Sequence, residues 1–284
     1  METIGNESKA KRFGKAAIDI VSFAALAVII ITIISVPFAT VLLKLGKEEA
    51  DTMSYFILSE TLMLAGVFLS AWIVWHLRGF SLEGLGRSLT MRWKDWLSGI
   101  LLATVLYAVG FGISLWAGAV EIAGVAFNPS SLLISLVFFL LVAVTEELAL
   151  RGFVLERLLQ SGVNKFCALF LSAALFSLIH IGNPNFDFLS FINILLAGIL
   201  LGSSYIYTRN LCFPIALHWF WNWIQGPVLG YEVSGNKFCN GLLALRLPEA
   251  NLINGDAFGF EGSVLCTVLM IVGTGVILKL AIND

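Results

Sequence analysis

Three charged residues follow an uncharged apolar run in the middle of the chain. The run SLLISLVFFLLVAV, at 131–144, leads directly into TEELALRGF, which contains Glu146, Glu147 and Arg151. A charged side chain at the bilayer centre costs about 2.5–3.5 kcal/mol on insertion scales, and such residues usually mark a functional site. Glu147 and Arg151 are spaced i, i+4 and can pair on one helix face, whereas Glu146 points about 100° away. The pair is therefore predicted to be structural, and Glu146 is the candidate general base.

Two histidines and an asparagine follow on later apolar segments. Phe176 and His180 are spaced i, i+4, and so are His218 and Asn222 in ALHWFWNW. Residues at this spacing share a helix face. Imidazoles transfer protons near neutral pH, and side-chain amides can bind an oxyanion, whereas Phe176 is predicted to pack and shape a pocket wall. Together with Glu146, these groups resemble a hydrolytic site.

The helices that carry these groups must hold them at similar depth. The apolar pattern continues to Gln160, so Glu147 lies about 20 Å from the turn at 161–164, at 1.5 Å per residue. The next helix begins near Lys165 and returns antiparallel, which places His180 about 22 Å from the same turn. Helices joined by a short turn pack side by side. We therefore expect the acids and His180 to face each other.

The second histidine lies at a shallower position on its own helix. His218 is about 14 Å beyond Arg209 at the same rise per residue. The depths agree when the fourth helix extends past the lipid headgroups. In that arrangement Glu156, Arg157 and Lys165 are expected to be solvated.

The overall composition indicates the class of protein. Of the 284 residues, 58% are hydrophobic and 13% charged, and the mean hydropathy is +0.91; soluble domains carry roughly 25% charged residues. These values favour an integral membrane protein over a large soluble core. The net charge of −2 gives no reason to expect nucleic-acid binding. Four scattered cysteines are too few for a disulfide framework.

Long apolar windows predict an all-α, polytopic membrane helix bundle with about eight transmembrane helices. Segment 1–15 is interpreted as a cytoplasmic N-terminal arm. Residues 16–284 are predicted to form a single transmembrane domain, with a catalytic core at about 131–227. The segment at about 231–262 is predicted to be an external loop. The predicted spans are 16–43, 54–77, 96–119, 131–160, 165–181, 189–207, 210–230 and 263–281.

The orientation is predicted from the distribution of charged loops. Lys and Arg are concentrated in the N-terminal arm and in the connections after the second, fourth and sixth spans. The opposite side carries acidic residues that include Glu48, Glu49 and Asp51. Cytoplasmic loops carry the excess of basic residues, so both termini are placed in the cytoplasm. The expected location is the cell membrane.

Three motifs in order resemble those of a known protein family. They are E-E-x-x-x-R (Glu146, Glu147, Arg151), F-x-x-x-H (Phe176, His180) and H-x-x-x-N (His218, Asn222). On three successive motif-bearing apolar helices, they resemble the CAAX-protease and bacteriocin-processing family, also called the abortive-infection family. Its members are intramembrane endopeptidases related to type II CAAX prenyl endopeptidase. The resemblance covers 131–227 and extends to GDAFGFEGS, which looks like the final loop of a bacterial member.

The resemblance implies an intramembrane endopeptidase that cleaves peptides or proteins in or near the bilayer. Glu146, with His180, would activate a water for attack on the scissile carbonyl. His218 and Asn222 would bind the oxyanion, a contribution of about 2.7–4 kcal/mol per donor in other hydrolases. Glu147 and Arg151 would hold the local geometry. Of these roles, none needs a cofactor.

A zinc mechanism is the alternative within the same family. Glu146, His180 and His218 offer one carboxylate and two imidazoles, which can ligate Zn²⁺. The spacing is not H-E-x-x-H, however, and Asn222 is a poor zinc ligand. A metal-free glutamate mechanism is therefore favoured.

Other functions remain open from the sequence. A non-catalytic regulator or immunity-type protein would bind a peptide or protein partner, for which the external loop offers a surface. A proton-coupled transporter would use the same Glu and His residues as a relay, although neither inverted repeats nor broken helices are evident. Alone, His180 would be an interfacial residue and Asn222 an interhelical hydrogen-bonding group. Peptide pheromones, leader peptides or bacteriocins are favoured as substrates over prenylated proteins, with access from the cytoplasm.

Overall fold

The computed structural model describes residues 8–45, 53–79, 89–248 and 251–283. In these ranges the chain forms a bundle of eight principal helices and one two-stranded antiparallel sheet. The strands are β1 (Glu121–Val125) and β2 (Leu243–Arg246). The helices are α1 (Lys9–Leu45), α2 (Met53–Leu77), α3 (Trp93–Trp116), α4 (Pro129–Gln160), α5 (Lys165–Ile179), α6 (Phe188–Thr208), α7 (Cys212–Trp223) and α8 (Val264–Asn283).

The predicted all-α membrane bundle is confirmed in its helices. Each predicted span corresponds to one helix of the described chain, and α1 begins at Lys9, inside the predicted arm. Five helices, α1 to α4 and α6, are long and apolar enough to cross a bilayer, whereas α5 and α8 are shorter apolar helices. The helix α7 has 12 residues. Residues Glu48, Glu49 and Asp51, used to predict the orientation, lie outside the described ranges, and the orientation stays a prediction.

The helix starts around the site follow from local side-chain chemistry. Asn128 caps α4, with its side chain accepting from the amide of Ser131, and Pro129 occupies the first turn, where its missing N–H is not needed. Asn164 caps α5 in the same way, and Asp187 caps α6 through the amide of Ser190. These caps satisfy amide groups that would otherwise lack partners. They define where α4, α5 and α6 begin, and these three helices lie around the motif residues.

Two helices change their hydrogen-bonding pattern close to motif residues, directly after Glu147 in α4 and two residues after Asn222 in α7. Helix α4 is α-helical to Glu147, π-helical over Leu148–Leu155 and α-helical again over Glu156–Gln160. Helix α7 likewise continues as a π-helix over Ile224–Val228. Such segments are rare and are frequently found at functional sites. The sequence predicted that α4 continues to Gln160, but not its change of pitch.

A glycine allows two of the site helices to approach closely. A Cβ built on Gly198 of α6 would lie 2.7 Å from the Cα of Ala173 on α5. A larger residue would therefore separate these helices. The close contact also brings the carbonyl oxygen of Gly198 to Arg151, as described below.

One expectation about the end of α4 is wrong. Arg157 was expected to be solvated, but it is 7% exposed. Its Nη2 donates to Asp19 of α1 at 2.6 Å, and Asp19 also contacts Arg78 at 2.6 Å. Asp19 lies in the first apolar span, 138 positions before Arg157, and no local pattern predicts that α1 and the end of α4 meet there. The sequence analysis brought His218 to the depth of the acids by letting a solvated end of α4 extend past the headgroups. The burial of Arg157 does not support that explanation.

The external loop is folded against the bundle. Its strand β2 pairs with β1, and the side chain of Asn254 donates to the carbonyl of Ala119 at 3.0 Å. Asn193 of α6 donates to the carbonyls of Glu261 and Ser263 at 2.7 and 2.8 Å. Neither strand was predicted, because each has only four or five residues. The loop thus forms one end of the chamber that contains the motif residues.

Candidate active site

A buried ion pair lies behind the site. Nη1 of Arg151 donates to Oε1 of Glu147 at 2.7 Å, and the two side chains are 1% and 0% exposed. Nη2 of Arg151 donates to the carbonyl of Gly198 at 3.0 Å. The guanidinium also lies over the ring of Phe176, with 4.8 Å from Cζ to the ring centroid. The pairing expected from the i, i+4 spacing is therefore present, but it is fully buried and tied to two other helices.

His218 lies between the two adjacent glutamates. Its Nδ1 is 3.0 Å from Oε1 of Glu147, and its Nε2 is 3.8 Å from Oε2 of Glu146. An ionised carboxylate only accepts hydrogen bonds, so Nδ1 carries a proton and donates it to Glu147. Arg151, Glu147 and His218 therefore form a chain that fixes the imidazole ring and directs Nε2 towards Glu146. This use of Glu147 as the orienting group of His218 was not predicted from the sequence.

Glu146 has a different environment from its neighbour. Its side chain is 22% exposed, and its Oε2 is buried without a hydrogen-bond partner among the described residues. Arg151 is already engaged by Glu147 and Gly198. Glu146 is thus an available carboxylate at the cavity wall, in the position that the motif spacing predicts for the general base.

His180 is held by the helix that precedes it. It is the C-cap residue of α5, and its Nδ1 is 2.7 Å from the carbonyl oxygen of Phe176. Because a carbonyl only accepts, Nδ1 carries the proton and Nε2 of the neutral ring has a free lone pair. Phe176 packs against both imidazoles, with centroid distances of 4.7 Å to His180 and 6.1 Å to His218. Phe176 therefore positions both histidines, beyond the packing role predicted for it.

Asn222 completes the set of motif residues. It lies one turn after His218 on α7 and is 6% exposed. Within the described ranges, no hydrogen bond is found for its side-chain amide, so the amide is available to a ligand. This differs from the interhelical hydrogen bond that was the structural alternative for this residue.

Five of the seven motif side chains line one cavity of about 330 Å³. Glu146, His180, His218 and Asn222 are on its wall, together with Phe176. Most of the other lining residues are apolar and come from α4, α6 and α7. The external loop closes the cavity with Val233, Ser234, Asn236, Phe238 and Glu261. The structure therefore brings all four predicted catalytic side chains to one chamber, while their roles stay predictions.

Two further glutamates belong to the cavity and were missed from the sequence. Glu60 of α2 is 6% exposed, and Glu261 is 3% exposed. Glu261 accepts hydrogen bonds from Trp221, Gln225 and Ser234, at 2.8 to 3.2 Å. It thereby joins α7 to the external loop. A lone acid in an apolar span was the available signal for Glu60, whereas Glu261 lies in a loop and gave none.

The residues named for zinc do not form a ready metal centre. Among the described residues, no group of three or more His, Cys, Asp and Glu side chains could hold a metal ion. Nδ1 of His180 is bonded to Phe176, and Nδ1 of His218 to Glu147, which leaves Nε2 of each ring open, as in histidines that ligate a metal. The metal-free mechanism therefore stays a prediction.

Comparison with known proteins identifies the segment that carries the motifs. Residues 128–224, about a third of the chain, match the family model described as Type II CAAX prenyl endopeptidase Rce1-like. Residues 128–224 are an Rce1-like segment. It extends from the cap of α4 through α7, and so includes all three motifs. The resemblance drawn from those motifs is thereby confirmed over this segment.

The other comparisons add no relatives. No curated protein and no solved structure matches the chain. The Rce1-like segment associates the chain with CAAX-type intramembrane proteases. The five long apolar helices of the described chain fit a multi-pass membrane protein. The external loop, α8 and the helices α1 to α3 lie outside the matched segment.

Proposed function

We propose that this protein is an intramembrane endopeptidase that uses a glutamate-activated water. One observation carries the proposal: Glu146, His180, His218 and Asn222, from three different helices or their ends, line the same cavity within an Rce1-like segment. A candidate base must lie within hydrogen-bond reach of the proton that it removes. This shared chamber supplies the space for a water and a peptide carbonyl next to Glu146.

The carboxylate of Glu146 would hold a water on its exposed side. Its Oε2 is buried 3.8 Å from Nε2 of His218, whereas the side chain as a whole is 22% exposed, so the water is assigned to the accessible part of the side chain. The carboxylate of Glu146 would take a proton from this water as its oxygen attacks the scissile carbonyl. The free lone pair on Nε2 of His180 would accept a hydrogen bond in the same chamber.

Oxyanion stabilisation is assigned to His218 and Asn222. The amide of Asn222 donates from its NH₂ group, and His218 can donate from Nε2 when both ring nitrogens are protonated. Carboxylates on both sides of the ring can stabilise that imidazolium. Fixed donors aimed at the developing negative charge typically contribute about 2.7–4 kcal/mol each. Glu147 and Arg151 act through His218, whose ring they orient, and are therefore positioning residues.

The substrates of this reaction would be polypeptides in or near the bilayer. The cavity wall is mainly apolar and is formed largely by helices of the membrane bundle. Peptide precursors or membrane-associated proteins fit this setting. No cofactor is required by the proposed steps, and the site would act without Zn²⁺.

The proposal can be tested in cells by mass spectrometry of the membrane-associated peptidome. Cells that express the wild-type protein should contain cleavage products that disappear with Glu146→Gln. The control is Glu121→Gln, which makes the same change on an exposed strand and should leave the products unchanged. Identical peptidomes for the wild type and Glu146→Gln would refute the proposal. A phenotype that survives Glu146→Gln but depends on the external loop would instead indicate a non-catalytic regulator.

A further inference from the structure

A third carboxylate in the cavity has no role in the proposed reaction. Glu60 of α2 lines the cavity and is 6% exposed. Its Oε1 is buried without a hydrogen-bond partner among the described residues. Glu60 faces Thr145, Glu146 and His218, so it lies next to the reacting groups. It also lies outside the Rce1-like segment, which begins at residue 128.

The charges around the cavity are strongly unbalanced. Its described lining includes three carboxylates, Glu60, Glu146 and Glu261, and neither Lys nor Arg. Arg151 is absent from the lining, and its two Nη atoms donate to Glu147 and Gly198. Glu261 is satisfied by neutral donors on α7 and the external loop. The cavity wall therefore offers Glu60 no Lys or Arg, and His218, when protonated, is shared by Glu146 and Glu147.

Aromatic rings also line the cavity. Phe138 and Phe139 of α4 and Phe238 of the external loop all line it. The centroid of Phe238 lies 5.1 Å from that of Phe138 and 5.6 Å from that of Phe139. Phe56 contacts Phe238 at 5.6 Å and precedes Glu60 by one turn of α2. Glu60 thus lies one helical turn from a residue of this aromatic cluster and shares the cavity lining with three of its rings.

We propose that Glu60 and these aromatic rings form a subsite for a cationic group of the substrate, an ammonium or a guanidinium. The inference rests on the proposed peptidase function and names the class of substrate. A buried carboxylate is costly when it is unpaired, and a cation brought by the ligand offsets that cost. Aromatic faces also attract cations, and apolar walls can pack against the aliphatic stem of Lys or Arg.

The same arrangement should reject acidic substrates. An Asp or Glu side chain placed in this subsite would face Glu60 and Glu146 without a Lys or Arg on the cavity wall to compensate. Like-charge juxtaposition of this kind is a common source of specificity. The expected substrate therefore has a Lys or Arg side chain, or a free amino terminus, close to the scissile bond.

The test is a binding measurement on the full chain in lipid nanodiscs. The Glu146→Gln background prevents cleavage, and fluorescence anisotropy reports the Kd of matched peptides with Lys, norleucine or Glu at each position in turn. Lys should bind about tenfold or more tightly than norleucine at one position, and Glu should bind more weakly than both. Glu60→Gln should remove this preference, whereas Glu121→Gln should retain it. Glu60→Met provides the same measurement when the Gln variant fails to fold.

The two possible sources of the cation, a side chain and the peptide amino terminus, are distinguished with peptides acetylated only at the amino terminus. Loss of binding on acetylation identifies the peptide amino terminus, whereas loss on replacing Lys by norleucine identifies the side chain. Equal binding of the Lys and norleucine peptides with no effect of acetylation would overturn the subsite, as would a cation preference that persists in Glu60→Gln. Cleavage by the protein with native Glu146 is measured separately on the same peptides. Glu60-dependent binding without cleavage would refute only the peptidase, and cleavage without a charge preference would refute only the subsite.

Discussion

Replacing Arg151 with Met should lower the free energy of unfolding by about 3–5 kcal/mol. Arg151 and Glu147 are 1% and 0% exposed and are joined by a 2.7 Å hydrogen bond. Removal of the guanidinium leaves the carboxylate of Glu147 buried beside only the imidazole of His218. It also leaves the carbonyl of Gly198 without the donor seen at 3.0 Å. The cost is thus mainly that of an uncompensated buried charge.

The double variant Glu147→Gln/Arg151→Met distinguishes this explanation from a simple loss of packing. Neither charge is then buried unpaired, and replacement of both partners of a buried pair is often close to neutral. The amide oxygen introduced at position 147 can still accept from His218. The double variant should therefore recover about 2 kcal/mol or more relative to Arg151→Met alone.

The assay is reversible unfolding in detergent, followed by tryptophan fluorescence, with the variants measured side by side. The exposed pair Arg246–Glu121, whose side chains are 68% and 46% exposed, supplies the control. Arg246→Met should cost less than about 1 kcal/mol. An Arg151→Met cost below about 1 kcal/mol, or a double variant less stable than Arg151→Met, would refute the reasoning.

Four further predictions concern the rest of the site. Asn222→Ala should lower kcat about 10²–10³-fold without changing Tm, because the amide donates to the oxyanion and not to the protein; an unchanged kcat would remove that role. Glu261→Ala should increase hydrogen exchange in the external loop, since it releases donors on both sides of the junction with α7, and unchanged protection would contradict this. Gly198→Val should cost about 1–3 kcal/mol in a melting experiment, because its Cβ would lie 2.7 Å from the Cα of Ala173; a cost near zero would show that α5 and α6 can separate freely. An impermeant maleimide should label Cys239 in intact cells, and faster as the pH rises, because burial raises the pKa of this thiol; labelling only in inverted vesicles would reverse the predicted orientation.

The helices of the bundle were predictable because each depends on a local pattern. Apolar windows located all eight helices of the described chain, and the caps at Asn128, Asn164 and Asp187 give three of them defined starts. The spacing of Glu147 and Arg151 also predicted their pairing correctly. These features require only the sequence within one or two turns of a helix.

The remaining features depend on contacts between distant parts of the chain. Asp19 and Arg157 meet although 138 positions separate them, and the external loop reaches the cavity only because Glu261 binds to α7. The role of Glu147 in orienting His218 likewise needs α4 and α7 to cross at one height. A single sequence does not specify such crossings, so the lone acid Glu60 in an apolar span could be noticed but not assigned to this site.

Hydrolysis by purified protein in nanodiscs tests the proposed chemistry most directly. A cleaved peptide should be incubated in H₂¹⁸O with the wild type and with Glu146→Gln, in the presence of a chelator. The wild type should produce a new carboxyl terminus that contains ¹⁸O, and the variant should be slower by about 10² or more while retaining its Tm. Cleavage by Glu146→Gln within a few-fold of the wild-type rate would contradict the assignment of Glu146 as the base.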